Sequence, residues 1–243
     1  EDVIEAVKTQ SLYAFTLRNN PVDLTLWKYL WNSSGTGATS PDSSLSFTYS
    51  FNLNGTEYYQ HIRGARPTSG TLSVSRGMWD QSMTFIAKDI TVPATSTSDP
   101  GTPVYQSAET ASSPVVHSDG GGSPFTYNSV SYGERSFSTT VNRNMAVMAV
   151  NGETDITYTK ATDRSITFTA DVFSGTASNE TSLYTLYESK DADAASYKFN
   201  TGPTVTLSYS NAVITDYSYT HAAGSADALI ESITCRAESC TNL

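Results

Sequence analysis

Catalysis needs nucleophiles, bases or metal ligands at workable spacings, and this chain offers few. Its histidines are His61, His117 and His221. His61 and His221 fall in strand-like segments with no Ser and Asp arranged around them, and both read as ordinary core or surface residues. A nucleophile elbow needs Gly-x-Ser-x-Gly between a strand and a helix, and neither TSGTLS nor SGTASN supplies it. GGGSP at 120–124 is glycine-rich, but no Lys-Ser/Thr follows and no helix begins there, so it is no phosphate loop. Glu188, Asp191 and Asp193 crowd the end of a helix-like segment without the central Gly and terminal Glu of a calcium loop. Carboxylates paired from distant positions remain the one hydrolytic arrangement that spacing leaves open. The reading is of a protein that is not an enzyme and carries no cofactor or metal.

Two cysteines, Cys235 and Cys240, stand close together in CRAESC. No Cys-x-x-Cys or histidine cluster accompanies them, which argues against zinc. We read them as free thiols, with a disulfide as the alternative, because spacing does not say whether the sulfurs meet. Three Asn-x-Ser/Thr triplets begin at Asn32, Asn54 and Asn179. They are glycan candidates only in a secreted or host-modified protein. Asn54 is better explained as a turn residue before Gly55, and Asn179 as a helix cap.

The elements that would carry such residues are mostly strands. Aromatics make up 11% of the 243 residues, tyrosine leads them with 15, and Ser and Thr abound. Branched and aromatic side chains favour a pleated, half-buried surface. The net charge of −10 and pI near 4.6 argue against holding nucleic acid through its phosphates, which needs Lys or Arg to displace counterions. No run of about 18 apolar residues exists, so no membrane insertion is expected. The chain starts at Glu1 rather than Met, read as processing or as an upstream segment outside this sequence.

Residues 1–10 read as an N-terminal arm, and SLYAFTL (11–17) as a strand. NPVDLTLWKYLWN gives a helix capped by Asn20, with Pro21 at its first position, Asp23 near its positive end, and Val22, Leu26, Tyr29 and Leu30 on one face. Strands follow, broken at Asn54-Gly55, to MTFIAKDITVP (83–93). Residues 94–124 are a polar linker or surface excursion. Residues 125–152 predict a long hairpin, with Phe137, Thr139 and Val141 alternating against Ser136, Ser138 and Thr140. ITYT and SITFTADVF are further strands. NETSLYTLYESKD is a second helix, with Leu183, Leu186, Tyr187 and Lys190 on one side. TVTLSYSNAVITDYSYTH and ALIESITCRA close the chain as strands.

The halves look like copies. A strand, a capped helix and FNLNG in the first match SITFTADV, a capped helix and FNTGP in the second. A constant offset of 147 then pairs Gly55 with Gly202, Ala65 with Ala212, Thr68 with Thr215, Gly77 with Gly224, Asp80 with Asp227 and Ile86 with Ile233. The expected organisation is an arm (1–10), a first unit (11–93), a linker (94–124) and a second unit (125–243).

Taken together, PFTYNSVSYGERSFSTTVNRNMAVMAVNG, SITFTADV and TVTLSYSNAVITDYSYTHAAGSADALIESITCRA resemble the tail tube (major tail) proteins of long-tailed bacterial and archaeal viruses. RGARPTSGTLSVSRGMWDQSMTFIAKDITVP looks like the first half of such a protein. The likeness spans most of the chain, and it is one of pattern, with no catalytic residues to transfer. It implies a mainly β, sandwich or barrel fold with one short helix per unit, whose strands join neighbouring subunits in a β-barrel around a channel. It also implies stacked rings in a virion tail, with viral DNA passing and a tape-measure protein in the lumen, neither bound specifically. Two fused units favour a trimeric ring, with a hexamer as the fallback. Closing a barrel across subunits would remove unpaired strand edges, and an acidic wall would repel phosphate. Strands in 131–150, 206–221 and 59–74 are the channel candidates, with Phe137, Val141, Tyr217 and Tyr219 as assembly residues; the arm and 94–124 would make ring-to-ring contacts. A secreted filament subunit assembled by strand donation is the alternative, supported by the missing Met and the three triplets. A carbohydrate-binding module is third, weakened by the scatter of Trp27, Trp31 and Trp79.

Overall fold

Along one strand of the computed structural model, Trp79, Gln81, Met83, Phe85 and Ala87 are buried, while Asp80, Ser82, Thr84 and Ile86 between them are not. This period of two, repeated strand after strand, gives a sheet with one face in the core and one outside it. The structure describes residues 13–19, 25–31, 44–75, 78–91, 94–95, 124–148, 158–173, 183–199, 205–221 and 229–242. In chain order the strands are β1 (Tyr13–Asn19), β2 (Leu45–Leu53), β3 (Thr56–Ser75), β4 (Met78–Ala87), β5 (Asp89–Ile90), β6 (Phe125–Tyr127) and β7 (Val130–Tyr132). Then come β8 (Glu134–Met148), β9 (Tyr158–Phe173), β10 (Asp193–Phe199), β11 (Val205–His221), β12 (Leu229–Ala237) and β13 (Ser239–Asn242). A 3-10 turn, Thr25–Trp27, leads into α1 (Lys28–Trp31), and α2 is Leu183–Ser189.

The main sheet runs β1-β4-β3-β8-β9-β12-β11, antiparallel throughout. Two smaller sheets lie over its buried face. One is β2 and β5 on the first part of β3; the other is β10, β6, β7 and β13 around the first part of β11. Phe47 of β2 meets Phe15 and Phe85 at 5.4 and 5.2 Å. Tyr197 of β10 meets Phe137 at 4.2 Å, and Tyr209 meets Phe168 at 4.5 Å. The core is thus an aromatic sandwich filling.

One ladder occurs twice. β1 on β4, β4 on β3, β3 on β2 and β3 on β5 have the same pattern as β9 on β12, β12 on β11, β11 on β10 and β11 on β13. The irregularities coincide as well. Gly64 and Asn211, 147 apart, both have positive φ, at 61° and 48°. The next residues, Ala65 and Ala212, are both fully buried. The register slips after Pro67 and after Ile214, so the extra residues are Thr68 and Thr215. Each threonine hydroxyl donates across the ladder, to the Thr84 carbonyl at 3.2 Å and the Thr234 carbonyl at 3.1 Å. A bulge at Thr68 also accommodates Pro67 inside a 20-residue strand.

Several expectations change here. The offset of 147 holds along β3 and β11 but becomes 150 along β4 and β12, because Ser75 pairs Met78 whereas His221 pairs Leu229 across a longer connection. Ile86 therefore corresponds to Arg236, and Met83 to Ile233. Tyr158 and Thr159, the described part of ITYT, belong to one strand with SITFTADVF: Arg143 opposite Arg164 and Asn144 opposite Asp163 carry β9 through KATDR. Asp193 opens β10 rather than ending a helix. In the first helix Trp27 is fully buried beside Leu30, while Leu26 and Tyr29 are half-buried; Asn20 to Asp23 lie outside the described residues. Leu183 and Leu186 are buried on α2, and Lys190 follows it with positive φ, its ammonium 3.4 Å from the Tyr187 ring centre. The arm 1–10 and most of 94–124 lie outside the described residues, save Ala94, which bridges to Tyr59, and Thr95 and Pro124.

Candidate functional site

The outer face of the main sheet is rich in hydroxyls. Register aligns Arg18, Ser82, Thr71, Thr140, Thr167 and Arg236 in one row across it. The next row is Asp80, Ser73, Ser138, Thr169, Thr234 and Asp216. Neighbouring hydroxyls bond across strands, as in Thr71 with Thr140 and Thr16 with Thr84, both at 3.1 Å. Asp171 receives a hydroxyl on each oxygen, Ser136 at 2.8 Å and Ser232 at 2.6 Å. The carboxylates on this face among the described residues include Asp80, Asp171 and Asp216, set against the guanidiniums of Arg18, Arg66 and Arg236. The face is therefore close to neutral, where the composition suggested an acidic one. Serine and threonine neutralise no phosphate, and each of the three guanidiniums is offset by a carboxylate on the same face, so such a surface is poor in the counterion-releasing contacts on which tight DNA binding depends.

The second feature is open backbone. β1 pairs only β4, and β11 from Asp216 to His221 pairs only β12 among the described strands. The β8–β9 hairpin also outruns its neighbours: β3 stops pairing at Asn142 and β12 begins at Ile166, leaving 143–148 and 158–165 paired only to each other. Where β3 diverges from β8, a cleft of about 520 Å³ opens between Thr68, Ile86, Asn142, Arg143, Met145 and Val147. Arg143 braces this root, donating to the Tyr29 carbonyl at 2.8 Å. Open edges of this length are normally hidden by a further strand.

Phe137 and Val141 are 1% and 0% exposed, so they belong to the chain's own core and do not present a surface to a neighbour. The parity of β8 decides this: Ser136, Ser138 and Thr140 take the other face. Tyr217 and Tyr219 lie on β11 at its open edge; Tyr217 packs against Tyr184 and Tyr187 of α2 and donates to Glu231 Oε1 at 2.9 Å. Cys235 and Cys240 are buried free thiols. Burial pushes the Cys240 thiol up to about 12 and that of Cys235 higher still. Asn54 and Gly55 both have positive φ, as a two-residue type I′ hairpin turn requires, and Gly55 N–H donates to Asn52 Oδ1 at 2.9 Å. Asn32 and Asn179 lie outside the described residues.

A site that the sequence did not announce lies at the start of β8. Glu134 shares a hydrogen bond with the Tyr197 hydroxyl, while its Oε2 is shut off from water without a partner among the described residues. Desolvation lifts its carboxyl to about 7 against the opposing Tyr197 bond. Only the geometry of β10, a strand that sequence reading missed, brings Tyr197 to it. Among the described residues no group of three or more His, Cys, Asp or Glu could hold a metal ion, and no helix is long and apolar enough to cross a membrane.

A sandwich with a hydroxyl-rich face, margins open among the described strands and a hairpin that outruns its neighbours has the geometry of a structural β-protein. Residues 13–237 match the phage tail tube protein family, and the chain belongs to it. It is accordingly a structural, non-enzymatic subunit of the tail tube in the virion, and the secreted-filament alternative falls away. The chain is also similar to Hcp1 from Flavobacterium johnsoniae, at 14% identity over 49% of this chain and 91% of that one, with a TM-score of 0.29. No curated protein matches it.

Proposed function

We propose that three copies close into a ring, that rings stack into the tail tube, and that the hydroxyl face of the main sheet lines the channel. In this reading the two ladders are two copies of one unit (11–93 and 125–243, joined by 94–124), so three chains present six similar units around the axis. Viral DNA passes through the lumen, and the tape-measure protein occupies it before ejection, both without specific binding. The observation that carries the reading is the repeated ladder within one sheet whose outermost strands, β1 and β11 from Asp216 to His221, each have no partner on their outer side among the described strands. An isolated sheet with two open margins invites uncontrolled pairing, and a closed ring removes both. The near-neutral face fits a conduit, because a basic wall would grip the phosphates in a salt-dependent way. Electron micrographs of the purified protein, with ring mass measured in parallel, test this. Three-chain rings stacked around an open bore are expected. Six-chain rings would overturn the trimer, and a chain that stays single at high concentration would overturn the tube reading for this protein.

A further inference from the structure

The large hydrophobic side chains exposed among the described residues fall in two patches: Tyr49 (59%) and Leu53 (56%) on β2, and Tyr184 (46%) and Tyr219 (63%) on α2 and β11. Register gives key members of both patches a counterpart in the other ladder. Tyr49 faces Gln60 as Tyr197 faces Leu207. Tyr219 faces Glu231 as Leu72 faces Gln81. Both counterparts are fully buried, Tyr197 and Leu72 alike.

The difference lies in what covers them. Inside the chain the second ladder sits on the end of the first: β8 runs along β3 from Ser69 to Ser75, placing buried Thr139 opposite Leu72. Tyr197 meets Trp79 of β4 edge-on, ring centres 5.3 Å apart at 80°. The equivalent end of the second ladder is β11 from Asp216 to His221 with the start of β12, where Leu229 stands opposite His221 as Trp79 stands opposite Val74. No described strand covers that end, and Tyr49, stacked on Phe51 of its own strand at 5.8 Å, keeps most of its surface exposed. Each patch is therefore exposed where its counterpart in the other ladder is covered.

We infer that the contact between neighbouring copies in the ring repeats this internal contact. The β2 face around Tyr49 of one copy settles on the β11–β12 end of the next, the end that carries Tyr219 and begins β12 at Leu229. The inference rests on the ring proposed above and names its contacting surfaces. The occupant is a second copy because the only described surface known to fit such a ladder end is the equivalent surface of this same chain. The contact is heterologous, one patch on a different one, which is the kind that a ring propagates and closes. Patches of this sort on an otherwise hydroxyl-rich surface mark protein contacts.

Tyr49→Cys and Leu229→Cys made in separate chains, then co-assembled and mildly oxidised, test the contact, since the buried native thiols stay unreactive. A covalent dimer is expected from the mixture and from neither variant alone. The double variant should give a ladder of covalent species that ends at three chains. Tubes in micrographs without any covalent dimer would overturn this contact while leaving the tube reading intact. Absence of any assembly by the unsubstituted protein would overturn both. Tyr49→Glu gives a second reading that does not depend on thiol chemistry: the single chain should keep its circular dichroism spectrum and unfolding midpoint while ring formation is lost. Normal rings from Tyr49→Glu would sink the proposal.

Discussion

At the scale of single residues, Glu134 makes the clearest statement. Its carboxyl titrates near 7 because burial penalises the charged form more than the Tyr197 hydroxyl rewards it. Between the ordinary carboxyl range and about pH 7 the folded chain holds a proton that the unfolded chain has released, so stability falls as pH rises through that window. The loss is bounded at on the order of 3 kcal/mol. Glu134→Gln keeps an acceptor for Tyr197 and removes the ionisation. Urea unfolding at pH 5 and pH 8 should show the unsubstituted protein weakening and the variant holding steady. Val141 is a second case. Read from sequence as an assembly residue, it would be a place where a substitution touches the neighbour and spares the monomer. Full burial reverses that expectation: Val141→Asp places an unpaired charge in the core and should leave no folded monomer, read as loss of the near-ultraviolet circular dichroism signal.

At the scale of elements, the helices pack against corresponding points of the two ladders. A Cβ at Gly70 would come within 2.5 Å of Leu30 Cδ1 and 3.2 Å of Trp27 Cη2, so α1 lies directly on that glycine. Its counterpart, Tyr217, lies beside Tyr184 and Tyr187 of α2. Gly70→Val should push α1 off the sheet and cost about 1–3 kcal/mol, measured as a lower midpoint of chemical unfolding. Much of this layer was legible in the sequence. Alternation marked β2, β3 and β8, Asn54-Gly55 marked a turn, and Thr68 with Thr215 marked a shared feature that proved to be a bulge in each ladder. But 125–152 is no long hairpin, being the short β6–β7 hairpin and then a single strand whose partner is β9. The strand expected at 83–93 is β4 from Met78 to Ala87, followed by the separate β5. Two things were hidden. β10 was missed because Asp191 and Asp193 beside a helix look like a solvated helix end, and only pairing with β11 and β6 makes AASYKF a strand. The offset beyond the hairpin turns was misjudged because a longer connection shifts register without changing the pattern of residue types.

At the scale of the whole molecule, the hydroxyl face was latent in the abundance of Ser and Thr but could not be located until register aligned them. Net charge misled here: the chain carries −10, yet this face sets Asp80, Asp171 and Asp216 against Arg18, Arg66 and Arg236 among the described residues. If it lines the bore, Ser138→Lys with Thr169→Lys, side by side in one row, should convert a passive wall into a binding one. Tubes of that variant should retain duplex DNA at low salt and release it as salt rises, while unsubstituted tubes retain none in a co-sedimentation assay.

The arithmetic of the main sheet has a consequence for closure. Seven strands alternating in direction put β1 and β11 in the same sense, up and up, at the two ends. Copies laid end to end would bring those two together as a parallel couple, out of keeping with every other pairing in the sheet. Within the chain the equivalent junction, β3 to β9, is spaced by the downward-running β8. An even tally per copy, reached by one more downward strand at the seam, lets the alternation run unbroken around a circle.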